Sequence, residues 1–252
     1  TRKTPIERRT SREVVLTAAG ERVLARARRV LAEVDDLVGE ARSGHTQLRL
    51  GHAWAAIGAH TVELQRRWPA LHPDVSLHVV RTNSATAGLA EGACDVAVVR
   101  VPPGPERIDP GRFDSAVVGL EARYCAMAAD DPLARRRQLR LADLADRVVA
   151  IDPRTGTTTV ELWPVGARPE VEECHDVDDW LAVIASGRCV GVTAESTLTQ
   201  YRRQGVVFRA VRDAPPVPVR LVWWRDDPHP LAADVVGLLS ELYRSRTPHR
   251  RG

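Results

Sequence analysis

Lysine is nearly absent. Lys3 is the only one among 36 basic side chains, so the positive charge is built from arginine throughout. That uniformity reads as compositional habit, and a single arginine carries little meaning by itself. Cysteine is sparse too: Cys94, Cys125, Cys174 and Cys189 are scattered, with no C-x-x-C pair. Buried reduced thiols are the default for such a pattern, and a redox-sensing pair is the alternative. No apolar run approaches the length of a membrane span, and the start lacks the charged-then-apolar-then-small order of a signal peptide. A cytoplasmic protein with no membrane contact is the expectation. There is no G-x-S-x-G, no H-E-x-x-H and no G-x-x-x-x-G-K-[ST]. The histidines are dispersed without ligand spacing, and His229 lies between two prolines. No catalytic residue, metal or cofactor is expected.

What is present is first of all an uneven charge. The first 29 residues carry a net +6, from Arg2, Lys3, Arg8, Arg9, Arg12, Arg22, Arg26, Arg28 and Arg29 against Glu7, Glu13 and Glu21, and the remainder carries −3. A basic end on a mildly acidic body suits a phosphate backbone at one end only. A solvated arm explains the charge equally well.

The junction Glu7–Gly20, E-R-R-T-S-R-E-V-V-L-T-A-A-G, organises the rest. Val14-Val15-Leu16 reads as a short strand after a turn at Thr10-Ser11, and Thr4-Pro5 favours an extended entry. Thr17 is an N-cap, with Glu21 placing negative charge in the first turn. A proline-free helix follows over Ala18 to Arg42. Leu24, Ala27, Leu31, Val34, Val38 and Ala41 recur at alternating steps of three and four, and Val23, Val30 and Leu37 widen the stripe. That is a coiled-coil seam in need of a partner, with Arg and Glu on the opposite face. The alternative is a core helix of one globular domain.

Beyond Ser43-Gly44 the period changes. Leu48 to Gly51 reads as a strand, Ile57 to Trp68 as a helix stopped by Pro69, Val75 to Val79 as a strand, Ser84 to Glu91 as a short helix closed by Gly92, and Cys94 to Val99 as a strand. This is the β-α-β-α-β rhythm of a parallel sheet. A second α/β unit follows: strands near 117–120, 124–128, 148–151, 171–174, 189–193 and 206–211, and helices over 141–146, 177–185 (capped by Asp176, stopped at Gly187) and 194–203. The last strand, Val217 to Trp223, and the last helix, Pro230 to Arg246, cannot make a third domain and return to the first. The chain therefore crosses between lobes near Leu120 and near Ala214-Pro215-Pro216, and two lobes joined by two crossings form a hinged cleft.

These residues resemble a LysR-type transcriptional regulator. The opening resembles the family's run from wing to linker helix, E-R-T-S-R leading into L-T-x-A-G. Q-L-R-L-G at Gln47–Gly51, R-W-P-A-L-H-P-D-V-S-L at Arg67–Leu77, G-L-A-E-G-A-C-D-V-A-V-V at Gly88–Val99 and D-P-L-A at Asp131–Ala134 follow in the family's order over most of the chain. The resemblance implies a two-lobed α/β effector domain of the periplasmic-binding-protein type (type II), preceded by a dimerisation helix and the remnant of a winged helix-turn-helix. The implied division is 1–16 for the end of the wing, 17–44 for the linker helix, 45–120 plus 217–247 for the first lobe and 121–216 for the second. It implies DNA as a partner of the full-length protein, a homodimer or homotetramer, and a regulator whose recognition helix lies outside this chain or has been lost. Arg8, Arg9, Ser11 and Arg12 would meet the DNA backbone; Leu24, Ala27, Leu31, Val34 and Val38 would dimerise. The family often has Ser or Thr just after the first regulatory strand, whereas this chain has His52-Ala53-Trp54-Ala55-Ala56.

Strand ends supply the cleft, because loops and helix N-termini collect there. The effector-binding candidates are Ala53, Trp54, Asn83, Ser84, Arg100, Thr155 and Thr193, with Trp54 as a wall. Against this, Ser84 could simply cap its helix and Arg100 simply face solvent. Arg100 can fork onto a carboxylate, so a small acidic effector is expected. A solute-binding protein of the same two-lobe fold, without DNA, is the alternative function. It should carry a secretion signal and no coiled-coil rod, the reverse of what is here.

Overall fold

A threonine hydroxyl starts the long helix. Thr17 Oγ1 accepts the Gly20 N–H at 3.0 Å, a donor that the first helical turn would leave free, and the Thr17 carbonyl accepts that of Glu21 at 2.8 Å as the first regular helical bond. The computed structural model describes residues 6–10, 13–43, 46–101 and 108–245, with only the backbone described over most of the N-terminal hairpin and at several positions of the long helix. In that hairpin Ile6–Thr10 (β1) pairs antiparallel with Glu13–Leu16 (β2), Ile6 opposite Leu16. The side chains of Arg8 and Arg9, and Ser11 and Arg12 altogether, fall outside the described residues.

Helix α1, Ala18–Ser43, has two faces. One docks on the body of the chain. Ala25 is buried, and Arg29 stacks on the Trp224 ring at 4.5 Å while its guanidinium pairs with Asp227. Gly92 makes the approach possible: at φ +71° it accepts a backbone conformation that side-chained residues avoid, and a Cβ there would stand 3.0 Å from the helix backbone at Arg28 and Arg29. The other face is the apolar stripe. Val23, Val30, Leu31, Val34, Leu37 and Val38 are exposed, Leu31 to 64%, and Leu24 is half-buried. The helix is therefore an external rod rather than a core helix.

Two sheets follow. In the first, Thr46–His52 (β3), Val75–Arg81 (β4) and Val96–Arg100 (β5) run parallel, and Phe113–Glu121 (β6) and Val217–Trp224 (β13) complete the order β4-β3-β5-β13-β6, with β13 antiparallel to both neighbours. Helices α2 (Thr61–Leu71) and α5 (Ala232–Ser245) close its core, in which Leu48, Leu50, Leu64, Trp68, Val235 and Leu239 are almost wholly buried. The second sheet has the order β11-β7-β12-β8, from Arg123–Ala128 (β7), Gln138–Leu139 (β8), Gly191–Ala194 (β11) and Val206–Val211 (β12). Beside it Val148–Ile151 (β9) and Glu170–Glu173 (β10) pair in parallel, and Val177–Ala185 (α3) and Glu195–Gln200 (α4) pack the lobe. The chain passes from the first sheet to the second between Glu121 and Arg123 and returns between Val211 and Val217. This is a two-lobed α/β fold.

Three local expectations fail for identifiable reasons. Residues 84–91 are a series of turns, not a helix, because Ala87 at φ +53° and Gly88 at φ +97° leave the helical region. Pro69 does not stop its helix: α2 runs on to Leu71, and in the last turn the missing N–H forfeits a single bond. Helix α4 ends at Gln200, short of Arg203, and Tyr201 turns back so that its hydroxyl donates to the Trp54 carbonyl at 2.8 Å. The Asp176 cap forms as expected, with one carboxylate oxygen accepting the N–H groups of Asp178 and Asp179.

Close packing yields the first prediction. A Cβ on Gly191 would lie 2.2 Å from Trp180 Cζ2, and that indole is held by its own bond to the Ala150 carbonyl at 2.9 Å. Gly191→Ala should lower stability to urea by roughly 1–3 kcal/mol, the cost of overpacking a tight core. Gly166→Ala, with nothing within 4 Å of the new carbon, should change it by less than about 0.5 kcal/mol.

Candidate functional site

The strand ends of the first lobe and the loops of the second face each other across a narrow cleft. Its lining brings Ala53, Trp54 and Ala55 after β3 together with Ser84, Ala85 and Ala87, with Val98 to Val101 along and after β5, and with Arg154, Thr155, Thr157, Ser196 and Thr197 of the second lobe. The enclosed space is about 30 Å³, room for a water or two, so the lobes must part to admit anything larger.

Hydrogen bonds across the cleft hold it shut. Trp54 Nε1 donates to Asp152 Oδ2 at 3.3 Å, and its indole meets Trp180 edge-on, centroids 5.4 Å apart. Asn83 Nδ2 donates to the His175 carbonyl at 2.8 Å. Thr155 Oγ1 lies 3.0 Å from Asn83 Oδ1 and 2.6 Å from Asp152 Oδ2, its one proton serving both. Asp152 is buried, and its other oxygen accepts the N–H groups of Arg154 (2.8 Å) and Thr155 (3.2 Å). Two turns of irregular chain are thus locked by one carboxylate.

At the back of the cleft sits an ion pair. Arg100 Nε and one terminal nitrogen fork onto Glu121 at 3.0 and 2.7 Å, and the other terminal nitrogen donates to the carbonyls of Ala55 (2.6 Å) and Ala56 (3.0 Å). Glu121 also accepts the Tyr243 hydroxyl at 2.7 Å and the Ser196 N–H at 3.1 Å. Burial by itself would raise the Glu121 carboxyl pKa, but the Arg100 guanidinium and these donors outweigh it and hold the group down at about 2. Burial pushes the Tyr243 hydroxyl up and His52, beside this network, down to about 4. Arg123 lies behind the loop, 2% exposed and with its carboxylate-free surroundings made of the carbonyls of Thr157 and Pro215 and the Thr158 hydroxyl; burial lowers its pKa to about 10.

The expected residues sort as follows. Ala53, Trp54, Ser84, Arg100 and Thr155 line the cleft. Asn83 ties the two lobes together. Thr193 stands a layer behind, buried, its hydroxyl 2.8 Å from that of Thr197. Arg100 neither faces solvent nor offers a free fork, because Glu121 already fills it; this removes the reason given for an acidic effector. Ser84 caps no helix; its hydroxyl donates to Glu91 at 3.0 Å and accepts the Gly88 N–H at 3.0 Å, holding the turns. Asp152, Glu121 and Ser196 were missed, whereas Thr157 falls in the stretch Arg154 to Thr158 that the strand-end argument assigns to the cleft. Asp152 opens the polar run D-P-R-T-G-T-T-T and Glu121 marks the first crossing, so position pointed at both, but no local pattern says that a carboxylate there will be buried. All four cysteines are buried, and burial pushes their thiols up, Cys94 and Cys125 to about 12 and Cys174 and Cys189 to about 11, far from the thiolate that a redox sensor needs.

Comparisons with known proteins agree with this architecture. A family model described as the LysR substrate binding domain matches residues 41–244. An uncharacterized HTH-type transcriptional regulator of Escherichia coli, YnfL, is 34% identical over 160 residues, covering 59% of this chain and 51% of that protein. The small neutral protease regulatory protein of Streptomyces coelicolor is 32% identical over 216 residues, covering 82% of this chain and 63% of that one. The chain thus spans between half and two thirds of the length of these relatives. The crystal structure of full-length CbnR with its target DNA superposes with a TM-score of 0.67 at 20% identity, over 89% of this chain and 83% of that one.

The ion pair makes a pH prediction. Glu121 has a folded-state pKa below its ordinary 4.5, so the stability it contributes is fully present above about 4.5 and is lost as pH falls through about 2. Glu121→Gln leaves Arg100 buried without its counter-charge and should cost roughly 3–5 kcal/mol at pH 6. The difference from wild type should shrink as pH drops from 4.5 toward 2, measured by urea unfolding at each pH. A constant difference across that window would refute the assignment.

Proposed function

The chain belongs to the LysR-type transcriptional regulators, and from that premise we propose that it is the linker-helix and effector-sensing portion of such a regulator. In this reading residues 1–16 end the wing of a winged helix-turn-helix, 17–44 form the dimerisation helix, 45–120 with 217–247 form the first lobe and 121–216 the second. The cleft between the lobes receives a small-molecule effector, and Ala53, Trp54, Asn83, Ser84, Arg100 and Thr155 position it directly or through the walls, with Thr193 as support. The family is one of transcriptional regulators, and no catalytic role is assigned to these side chains. A cytoplasmic location accompanies DNA as the partner; among the described residues no helix is long and apolar enough to cross a membrane.

The observation that carries the proposal is the two-faced helix. A rod docked by Ala25 and Arg29 on a two-lobed ligand domain, with an apolar stripe turned outward, is built to join a second copy. Leu24, Ala27, Leu31, Val34 and Val38 form that seam, and each large side chain fully buried there is worth about 1.5–3 kcal/mol. A solute-binding protein has no use for such a stripe, and the relatives named above are described as regulators.

Two measurements test this reading. Sedimentation should find the chain at least dimeric at micromolar concentration, and Leu31→Asp should shift it toward monomer without loss of helix content; a native monomer would refute the seam. In a gel-shift titration at physiological salt this chain should bind duplex DNA weakly, without preference and with a steep salt dependence, since a basic arm contacts phosphates and base readout needs an element in the major groove. Tight binding to one operator against excess random duplex would show that residues 1–43 carry a recognition element after all.

A further inference from the structure

We infer that the cleft selects an uncharged effector: a small molecule with an apolar body and a hydroxyl, carbonyl or amide head, in place of an acid or an amine. The inference rests on the cleft being the effector site and adds the chemical class of its ligand.

The charges around the cleft cancel or are already engaged. Four of the five N–H groups of Arg100 are bonded, two to Glu121 and two to the carbonyls of Ala55 and Ala56. A carboxylate entering here would shed its water and meet a guanidinium whose fork is filled, with the Glu121 carboxylate directly behind it. Arg154 projects to the mouth, its side chain 52% exposed and its guanidinium bonded to the His175 carbonyl. The other acidic group, Asp152, accepts from two backbone N–H groups, the Thr155 hydroxyl and the Trp54 indole, which leaves little for an ammonium.

Two uncharged groups are in the opposite condition. Thr157 and Ser196 are among the residues that line the cleft, and their hydroxyls are buried with no hydrogen-bond partner among the described residues. A buried polar atom without a partner is rare in folded proteins, and a bound group or an ordered water can complete the bond. Each hydroxyl can donate and accept, so an alcohol or amide suits both. Both are held from behind. The Thr157 carbonyl accepts from Arg123 at 2.7 Å, and the Ser196 N–H is fixed on Glu121 at 3.1 Å. Across from them the first lobe offers Ala53, Ala85, Val98, Val99 and the Trp54 indole, a wall for an apolar body.

The test uses four probes of one carbon skeleton at pH 7: isobutyramide, isobutanol, isobutyrate and isobutylamine. Thermal shift and calorimetric titration are run on the wild-type chain, Thr157→Val and Ser196→Ala, with circular dichroism as the check on folding. The amide or the alcohol should stabilise the wild type, and each variant should weaken that binding roughly fivefold, the loss of one hydrogen bond. Preference for isobutyrate or isobutylamine, or no response to either neutral probe, overturns the uncharged class. If a charged probe binds and the variants weaken it, the class falls while the cleft stands as the site. Binding that neither variant alters brings down the cleft reading itself.

Discussion

The Arg100–Glu121 pair is the constraint on which the rest depends. Two full charges taken out of water are tolerable only when each is matched in geometry and in remaining hydrogen bonds. Here the matching recruits parts of the chain that would otherwise be independent. Arg100, at the end of β5, grips the loop after β3 through two carbonyls. Glu121, at the end of β6, collects the Tyr243 hydroxyl from α5 and the Ser196 N–H of α4 from the other lobe. Strand ends, the first crossing, the C-terminal helix and the second lobe therefore meet at one carboxylate. Remove it, and the guanidinium is left buried with its charge unanswered.

The long helix shows a different economy of contact. Among the described residues its docking face includes a buried alanine and an arginine stacked on an indole, and it meets a glycine that lets the backbones come close. Its outward face is long and apolar. Residues that would normally be hidden remain exposed, which is the mark of a surface that meets another one. Both faces are written in one heptad-like stretch, which is why the stripe could be read without any structure while the docking face could not.

That contrast holds for the chain as a whole. Periodic features were legible: the long helix with an exposed apolar stripe through Leu31 and Val38, the Asp176 cap, the strands Val148–Ile151 and Val206–Val211, and the strand-end position of Ala53, Trp54, Ser84 and Thr155 in the cleft. Features set by long-range contact were not. Positive φ at Ala87 comes with a Ser84 hydroxyl that accepts the Gly88 N–H, and nothing in a run of small residues announces it. The role of Arg100 depended on a carboxylate 21 residues away, and that of Asp152 on an indole 98 residues away. An arginine at a strand end looks the same in sequence whether it is free to bind a ligand or already bound.

One consequence concerns how such a cleft changes its taste over evolutionary time. If the cleft takes an effector as proposed, the charge it presents is set by Glu121, which stands behind the lining and not in it. A neutral residue there, in a background stable enough to bear it, would hand Arg100 back its fork while leaving every side chain on the cleft wall as it was. Two chains with identical linings could then answer to an alcohol in one lineage and an acid in another. In such a cleft the specificity would lie one layer deeper than the surface the ligand touches.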